Sequence, residues 1–229
     1  MVLIPFPKKI ANKAGAFCIA VNTRILLDAS CEYTDFEAAL SLKEEIHKVI
    51  GVRTDILKGF YEQQDFMTEC DGAECVNAKG LIIIKRINDN TKAPSYYKLD
   101  IDEHLIEVTG NSGAALFYGI QTLRQLIRSC RSLIPCLEIE DYPDFKNRGL
   151  YHDITRGKVP SLDTLKELVD RLSFYKMNQL QLYIEHSFAF KKQSEIWTDS
   201  DPITAEEILI LDEYCRKKNV ELVPSMSSF

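Results

Sequence analysis

The chain has no run of about 18 apolar residues, so no membrane-spanning helix is expected. It has no basic stripe: 28 Lys and Arg stand against 34 Asp and Glu, a mild and scattered net charge of −6 that makes nucleic acid an unexpected partner. No glycine-rich phosphate loop follows a strand-like segment, so nothing supports a bound nucleotide. The cysteines, Cys18, Cys31, Cys70, Cys75, Cys130, Cys136 and Cys215, are odd in number and match no zinc spacing. No His/Asp/Glu cluster has metal-ligand spacing, and no cofactor is expected. Free thiols suit a reducing compartment, and the opening residues lack the charged start and apolar run of a secretion signal, so a cytoplasmic location is expected. Internal repeats and low-complexity tracts are absent as well. A Gly-x-Ser-x-Gly elbow is missing around the serines at 225, 227 and 228, which read as loop residues bonding the backbone.

What is present falls into two patterns. Residues 17–28 alternate as a strand, and Thr34-Asp-Phe-Glu37 has the form of a capping box opening a helix that Gly51 stops. Strands are predicted over 52–57 and 81–84, a surface loop over 59–79, and a hairpin over 96–109 that turns at Asp102-Glu103. In its second arm Leu105, Glu107 and Thr109 share one face, and Ile106 and Val108 the other. A helix over 113–130 carries Leu116, Ile120, Leu123, Leu126 and Ile127 as its apolar stripe, and a strand over 133–139 follows. Residues 1–143 thus read as one α+β domain.

From residue 144 to 229 the pattern becomes β-α-β-α-β. Strands are predicted over 149–155, 180–184 and 220–223. Pro160-Ser161 opens the first helix, with Leu162, Leu165, Leu168, Val169, Leu172 and Tyr175 inward and Asn178 at its end. Thr204 and Glu207 form a capping box for the second, with Ile208, Leu211, Tyr214 and Cys215 inward and Asn219 as its stop. Such alternation implies parallel strands. Three parallel strands leave an open edge and uncovered apolar faces. The expectation is a fragment of a larger α/β body, or one completed by a partner chain or by self-association across that edge.

In parallel β/α folds chemistry gathers at strand carboxyl ends. The first such end carries Asp153, Thr155 and Arg156, the second Glu185 and His186. The Arg156 guanidinium suits two adjacent sugar hydroxyls or a carboxylate, and equally an ion pair that steadies a loop. Asp153 is placed to hold Arg156 or a ligand, but the two share a face only if the strand ends before Arg156. Glu185 and His186 are neighbours and point to opposite sides, so either enters a pocket singly. His152 reads as a core histidine, and Trp197 as a sugar platform or a loop anchor.

Four segments carry a resemblance. Ile4-Pro-Phe-Pro7, Gly113-Ala-Ala-Leu-Phe-Tyr-Gly-Ile-Gln-Thr-Leu-Arg-Gln-Leu126, Ile139-Glu-Asp-Tyr-Pro143 with Arg148-Gly149 and Asp153-Ile-Thr-Arg156, and Leu172-Ser-Phe-Tyr-Lys-Met-Asn178 resemble glycoside hydrolase family 20, the β-N-acetylhexosaminidases. The resemblance implies an α+β N-terminal domain followed by the first three β/α units of an incomplete (β/α)8 TIM barrel. It implies an N-acetylhexosamine-containing glycan as substrate, losing terminal N-acetylglucosamine or N-acetylgalactosamine, with the substrate's acetamido oxygen as nucleophile. It assigns sugar-hydroxyl binding to Arg156. The acid/base Asp-Glu pair of the family follows a fourth barrel strand, so none of these residues takes that role. Glu185-His186-Ser187 stands where many members carry Thr-Asp-Asp, a departure that bears on substrate preference. By itself the chain is expected to be inactive, or to serve as a carbohydrate-binding or interaction module.

Overall fold

The computed structural model describes residues 2–60 and 80–227, in two units, Met1–Asp144 and Phe145–Phe229. The first unit runs β1 (Lys9–Cys18), β2 (Arg24–Asp28), α1 (Asp35–Ile50), β3 (Ile56–Gly59), β4 (Leu81–Arg86), β5 (Tyr97–Ile101), β6 (Leu105–Gly110), α2 (Gly113–Cys130) and β7 (Leu133–Asp141). Its strands form one sheet in the order β1-β7-β5-β6-β4-β2-β3. The β1, β7, β5 and β6 pairings are antiparallel, and β6, β4, β2 and β3 are parallel.

Strand parity decides which side chains meet the helices. Ile82 and Ile84 of β4 enter the main core with Ile106 and Val108 of β6, Leu42 and Ile46 of α1, and Leu116, Ile120, Leu123 and Ile127 of α2. Leu81 and Ile83 join Leu26 and Leu105 in a separate, smaller cluster. Ser112 caps α2 by accepting from the Ala115 N–H at 3.1 Å.

Three expectations are corrected here. Residues 17–28 hold two strands, not one, because the backbone turns at Ala20–Thr23, where the Thr23 N–H donates to the Ala20 carbonyl. Most of β1 precedes the predicted segment; there two lysines, an asparagine and small residues, mostly exposed, break up the alternation expected of a half-buried strand. The Thr34 capping box does not form. Thr34 is already helical (φ −62°, ψ −25°), while Asp35 accepts from the Glu32 N–H at 2.8 Å and from Arg86 at 2.7 Å. The strand expected at 52–57 begins only at Ile56. From residue 61 on, the loop reading of 59–79, with Cys70, Gly72 and Cys75, lies outside the described residues.

The second unit runs β8 (Gly149–Asp153), α3 (Leu162–Phe174), β9 (Gln179–Ile184), a short 3-10 turn (Ser194–Ile196), α4 (Ala205–Lys217) and β10 (Glu221–Met226). Its three strands are parallel in the order β10-β9-β8. Leu165, Val169 and Leu172 of α3, with Leu211 and Cys215 of α4, bury against Leu180, Leu182 and Ile184. Arg148 and Asn178 tie the start of β8 to that of β9. The Arg148 N–H donates to Asn178 Oδ1 at 2.8 Å, and its guanidinium donates twice to the Lys176 carbonyl, at 2.8 and 3.0 Å.

Asn178 therefore joins strands and does not cap a helix. The left-handed position after α3 is Lys176 (φ 61°). Tyr175 is exposed, because the helical phase ends at Phe174, which takes the inward place. Ser225 lies within β10, where its hydroxyl meets the Tyr151 hydroxyl at 3.2 Å; it is a strand residue, not a loop residue. Ser228 lies outside the described residues.

The Thr204 capping box is complete. Thr204 Oγ1 accepts from the Glu207 N–H at 3.2 Å, and Glu207 Oε2 accepts from the Thr204 N–H at 2.9 Å. Replacing Thr204 by Ala is expected to destabilise this unit by about 1 kcal/mol, with Thr204→Ser close to wild type. Thermal unfolding of the three proteins checks this, and equal midpoints for Ala and wild type would count against it.

Candidate sugar-recognition site

β8 ends at Asp153, and that ending brings Asp153 and Arg156 together. Asp153 Oδ1 accepts from the backbone N–H of Thr155 at 2.8 Å and of Arg156 at 3.3 Å, a turn built by the aspartate on its own backbone. Its other oxygen, Oδ2, receives Arg156 Nη1 at 2.7 Å. The condition set by strand parity is met.

Glu185, just past β9, completes the group. Its Oε1 receives Arg156 Nη2 at 3.0 Å and the Tyr183 hydroxyl. Tyr183 lies two residues earlier on the same face of the strand. Arg156 Cζ is 5.2 Å from its ring centroid, within cation–π reach. The Tyr151 ring lies against Tyr183 at 5.9 Å.

Thr155 joins the two strand ends. It is buried, accepts from the Glu185 N–H at 3.0 Å and meets the Ser187 hydroxyl at 3.2 Å. The Arg156 side chain nonetheless remains 66% exposed, with Asp153 and Glu185 at 33% and 34%, so this is a surface open to a ligand.

The charges hold one another. The Thr155 N–H, and after it the Arg156 guanidinium, keep the Asp153 carboxyl below its ordinary value. The Arg156 guanidinium is raised, by Asp153 first, then by Tyr183 and Glu185.

His186 stands apart. Its side chain is exposed, and its carbonyl accepts from Ser200 Oγ at 3.2 Å. Among the described residues, no hydrogen bond or ion pair joins it to the Arg156 group. His152 is half-buried within β8. Trp197 is a loop anchor, its indole N–H donating to the Phe190 carbonyl at 3.0 Å.

Tyr183 was not among the predicted site residues. Its signal was available in the period-2 spacing to Glu185. The two Asp-Glu dipeptides lie elsewhere: Asp102-Glu103 turns the β5–β6 hairpin, and Asp212-Glu213 sits on α4, where Glu213 pairs with Arg216 at 2.5 Å. Among the described residues no group of three or more His, Cys, Asp or Glu could hold a metal ion, and no helix is long and apolar enough to cross a membrane. The cysteines at 18, 31, 130, 136 and 215 are free thiols.

Fold and site together define an α/β protein with a polar, arginine-centred cluster at the carboxyl ends of parallel strands. The family model described as "Glycosyl hydrolase family 20, domain 2" matches residues 1–142, and the chain belongs to glycoside hydrolase family 20. Among its relatives, β-hexosaminidase B of Pseudoalteromonas piscicida is 30% identical over 106 residues, 46% of this chain and 14% of that protein. A β-hexosaminidase of Vibrio furnissii is 29% identical over 184 residues, 80% of this chain and 26% of that protein. The chain thus spans only a part of these relatives' length.

Solved structures share the fold. A family 20 β-N-acetylhexosaminidase from Streptomyces coelicolor A3(2) superposes with a TM-score of 0.77 at 22% identity, covering 97% of this chain and 45% of that one. The exo-β-N-acetylglucosaminidase of Vibrio harveyi, solved with N-acetylglucosamine, does so with a TM-score of 0.74 at 21% identity, covering 97% and 35%.

Proposed function

We propose that these residues form the N-terminal domain and the opening β/α units of the (β/α)8 barrel of a β-N-acetylhexosaminidase. The substrate class is a glycan ending in N-acetylglucosamine or N-acetylgalactosamine, cleaved with the acetamido oxygen as nucleophile. Within that protein Arg156 binds sugar hydroxyls, and Asp153 and Glu185 hold it in place. The observation that carries this reading is the Arg156 group itself: an exposed guanidinium, fixed from both sides, at the carboxyl ends of parallel strands in a family 20 chain.

Neither Asp-Glu dipeptide adjoins that group in sequence or sits at the carboxyl end of β8, β9 or β10, so acid/base chemistry is not assigned to any of the 229 residues. The chain alone is expected to bind and not to cleave.

The test is a titration of the chain with N-acetylglucosamine followed by amide chemical shifts. Saturable shifts around Arg156 are expected, with affinity at least about tenfold weaker in Arg156→Ala, a loss of about 1.4 kcal/mol. No release of nitrophenol from 4-nitrophenyl N-acetyl-β-D-glucosaminide is expected. Undiminished binding by Arg156→Ala, or no binding at millimolar sugar, would sink the assignment of Arg156. Efficient turnover would sink the division of labour.

A further inference from the structure

A bare arginine fork is a receptor for anions, since its parallel N–H donors match the two oxygens of a carboxylate or sulfate. Arg156 is not bare. Asp153 takes Nη1 at 2.7 Å and Glu185 takes Nη2 at 3.0 Å, so two carboxylates face one cation. Among the described residues no second cation is bonded to either carboxylate. The cluster therefore carries an excess of negative charge, although an arginine lies at its centre.

Whether the second carboxylate stays on Arg156 depends on Tyr183. Glu185 lies beyond the last residue of β9, on a half-exposed side chain that solvent would otherwise draw away. The Tyr183 hydroxyl donates to the same Oε1 that Arg156 bonds, and the Tyr183 ring lies within 5.2 Å of the guanidinium carbon. Tyr183 is itself steadied by Tyr151, whose hydroxyl meets Ser225 on β10.

We propose that Tyr183 and Glu185 act as one unit that sets the ligand class of this site: they keep a second carboxylate on Arg156, so the site takes uncharged hydroxyl groups and rejects anionic ones. Tyr183 is a positioning residue that works through Glu185. The inference builds on the sugar-binding reading of Arg156, and it narrows that reading to neutral sugars over sulfated or carboxylated ones. Neutral hydroxyls suit such a cluster because each both donates and accepts, bonding the guanidinium and a carboxylate oxygen at once. An anion meets two like charges within a few ångströms, which costs it roughly fivefold in affinity per carboxylate even under water-like screening.

The 229-residue chain supplies the test. The Arg156 Nε–H resonance, identified by its loss in Arg156→Lys, is followed while sodium sulfate or N-acetylglucosamine is added at constant ionic strength. In the wild type sulfate should move it only weakly. In Glu185→Gln, which keeps the shape and removes the charge, sulfate should move it saturably and bind roughly fivefold tighter or more. Tyr183→Phe keeps the ring and removes the hydroxyl, and should shift sulfate binding in the same direction. A Tyr183→Phe change added to Glu185→Gln should then have no further effect.

Sulfate binding as tight in the wild type as in Glu185→Gln would overturn the proposal. So would a Tyr183→Phe protein that matches wild type. If N-acetylglucosamine leaves the resonance unmoved while the sulfate differences hold, the charge selection stands and the sugar assignment of Arg156 falls. Should Tyr183→Phe not fold, the Glu185→Gln comparison decides alone.

Discussion

Replacing Glu45 by Ala is expected to lower the stability of the N-terminal unit by about 3 kcal/mol, the low end for a broken buried pair because the Arg128 side chain is 44% exposed. Glu45 lies on α1 with its side chain only 1% exposed, and both its oxygens are engaged by α2. Arg124 donates to Oε2 through Nε at 3.1 Å and Nη2 at 2.8 Å. Arg128, one turn further along, donates to Oε1 at 2.6 Å and to Oε2 at 3.0 Å. One carboxylate thus joins two helices through two guanidiniums. Its removal strips both cations of a shared buried partner, a far larger effect than losing a surface pair.

The same cluster gives an acid limb to stability. Burial alone would raise the Glu45 carboxyl; Arg128 and Arg124 outweigh it and hold the group below its ordinary 4.5. A depressed folded value means that the contribution is fully present above the unfolded value and is lost as pH falls through the folded one. Urea unfolding measured stepwise from pH 6 downward should show this loss in the wild type. Glu45→Gln should be flatter over the same range, and an unchanged acid slope in that variant would assign the titration to other groups.

The second large effect is steric. Gly119 lies on the face of α2 that meets β5 and β6, and a Cβ there would stand 2.7 Å from Val108 Cγ1 and 3.1 Å from Tyr97 Cδ2. Neither neighbour has room to withdraw. Val108 is fully buried, and the Tyr97 hydroxyl is bonded to Asp141 Oδ2 at 2.9 Å and to Thr122 Oγ1 at 2.7 Å. Gly119→Val is expected to cost about 3 kcal/mol through overpacking. Gly119→Ala should cost less, because a better helix former offsets part of the clash. Adding Val108→Ala should restore part of the Gly119→Val loss, since the two sites touch. Chemical denaturation of the single and double variants measures it, and strict additivity would show the clash is not with Val108.

Gly119 also shows how far sequence reading reaches. The stripe Leu116, Ile120, Leu123, Leu126 and Ile127 announces the helix and its buried face through a period of 3.6, and the helix occupies the predicted 113–130. Nothing local says that position 119 must lack a side chain, because Val108 and Tyr97 reach it only through tertiary packing. The failed Thr34 box and the complete Thr204 box look alike as sequence. They differ because Arg86, 51 residues from Asp35, engages that aspartate and draws it into its own turn. The edge strand β1 was only partly legible, since exposed lysines and an asparagine carry no alternating apolar signal.

The sequence by itself determined the element types of the second unit, the two-part division near residue 144 and the strand-end placement of Asp153, Arg156 and Glu185. These depend on local periodicity, caps and chain order, which short-range physics sets. Only the tertiary structure decided that Glu185 reaches Arg156 across 29 residues, that Tyr183 donates to the oxygen they share, and that His186 stays outside. Those outcomes follow from the parallel register of β8 against β9, which sets Asp153 beside Tyr183. Registers of that kind are fixed by the packing of whole faces, and no single stretch of chain contains them.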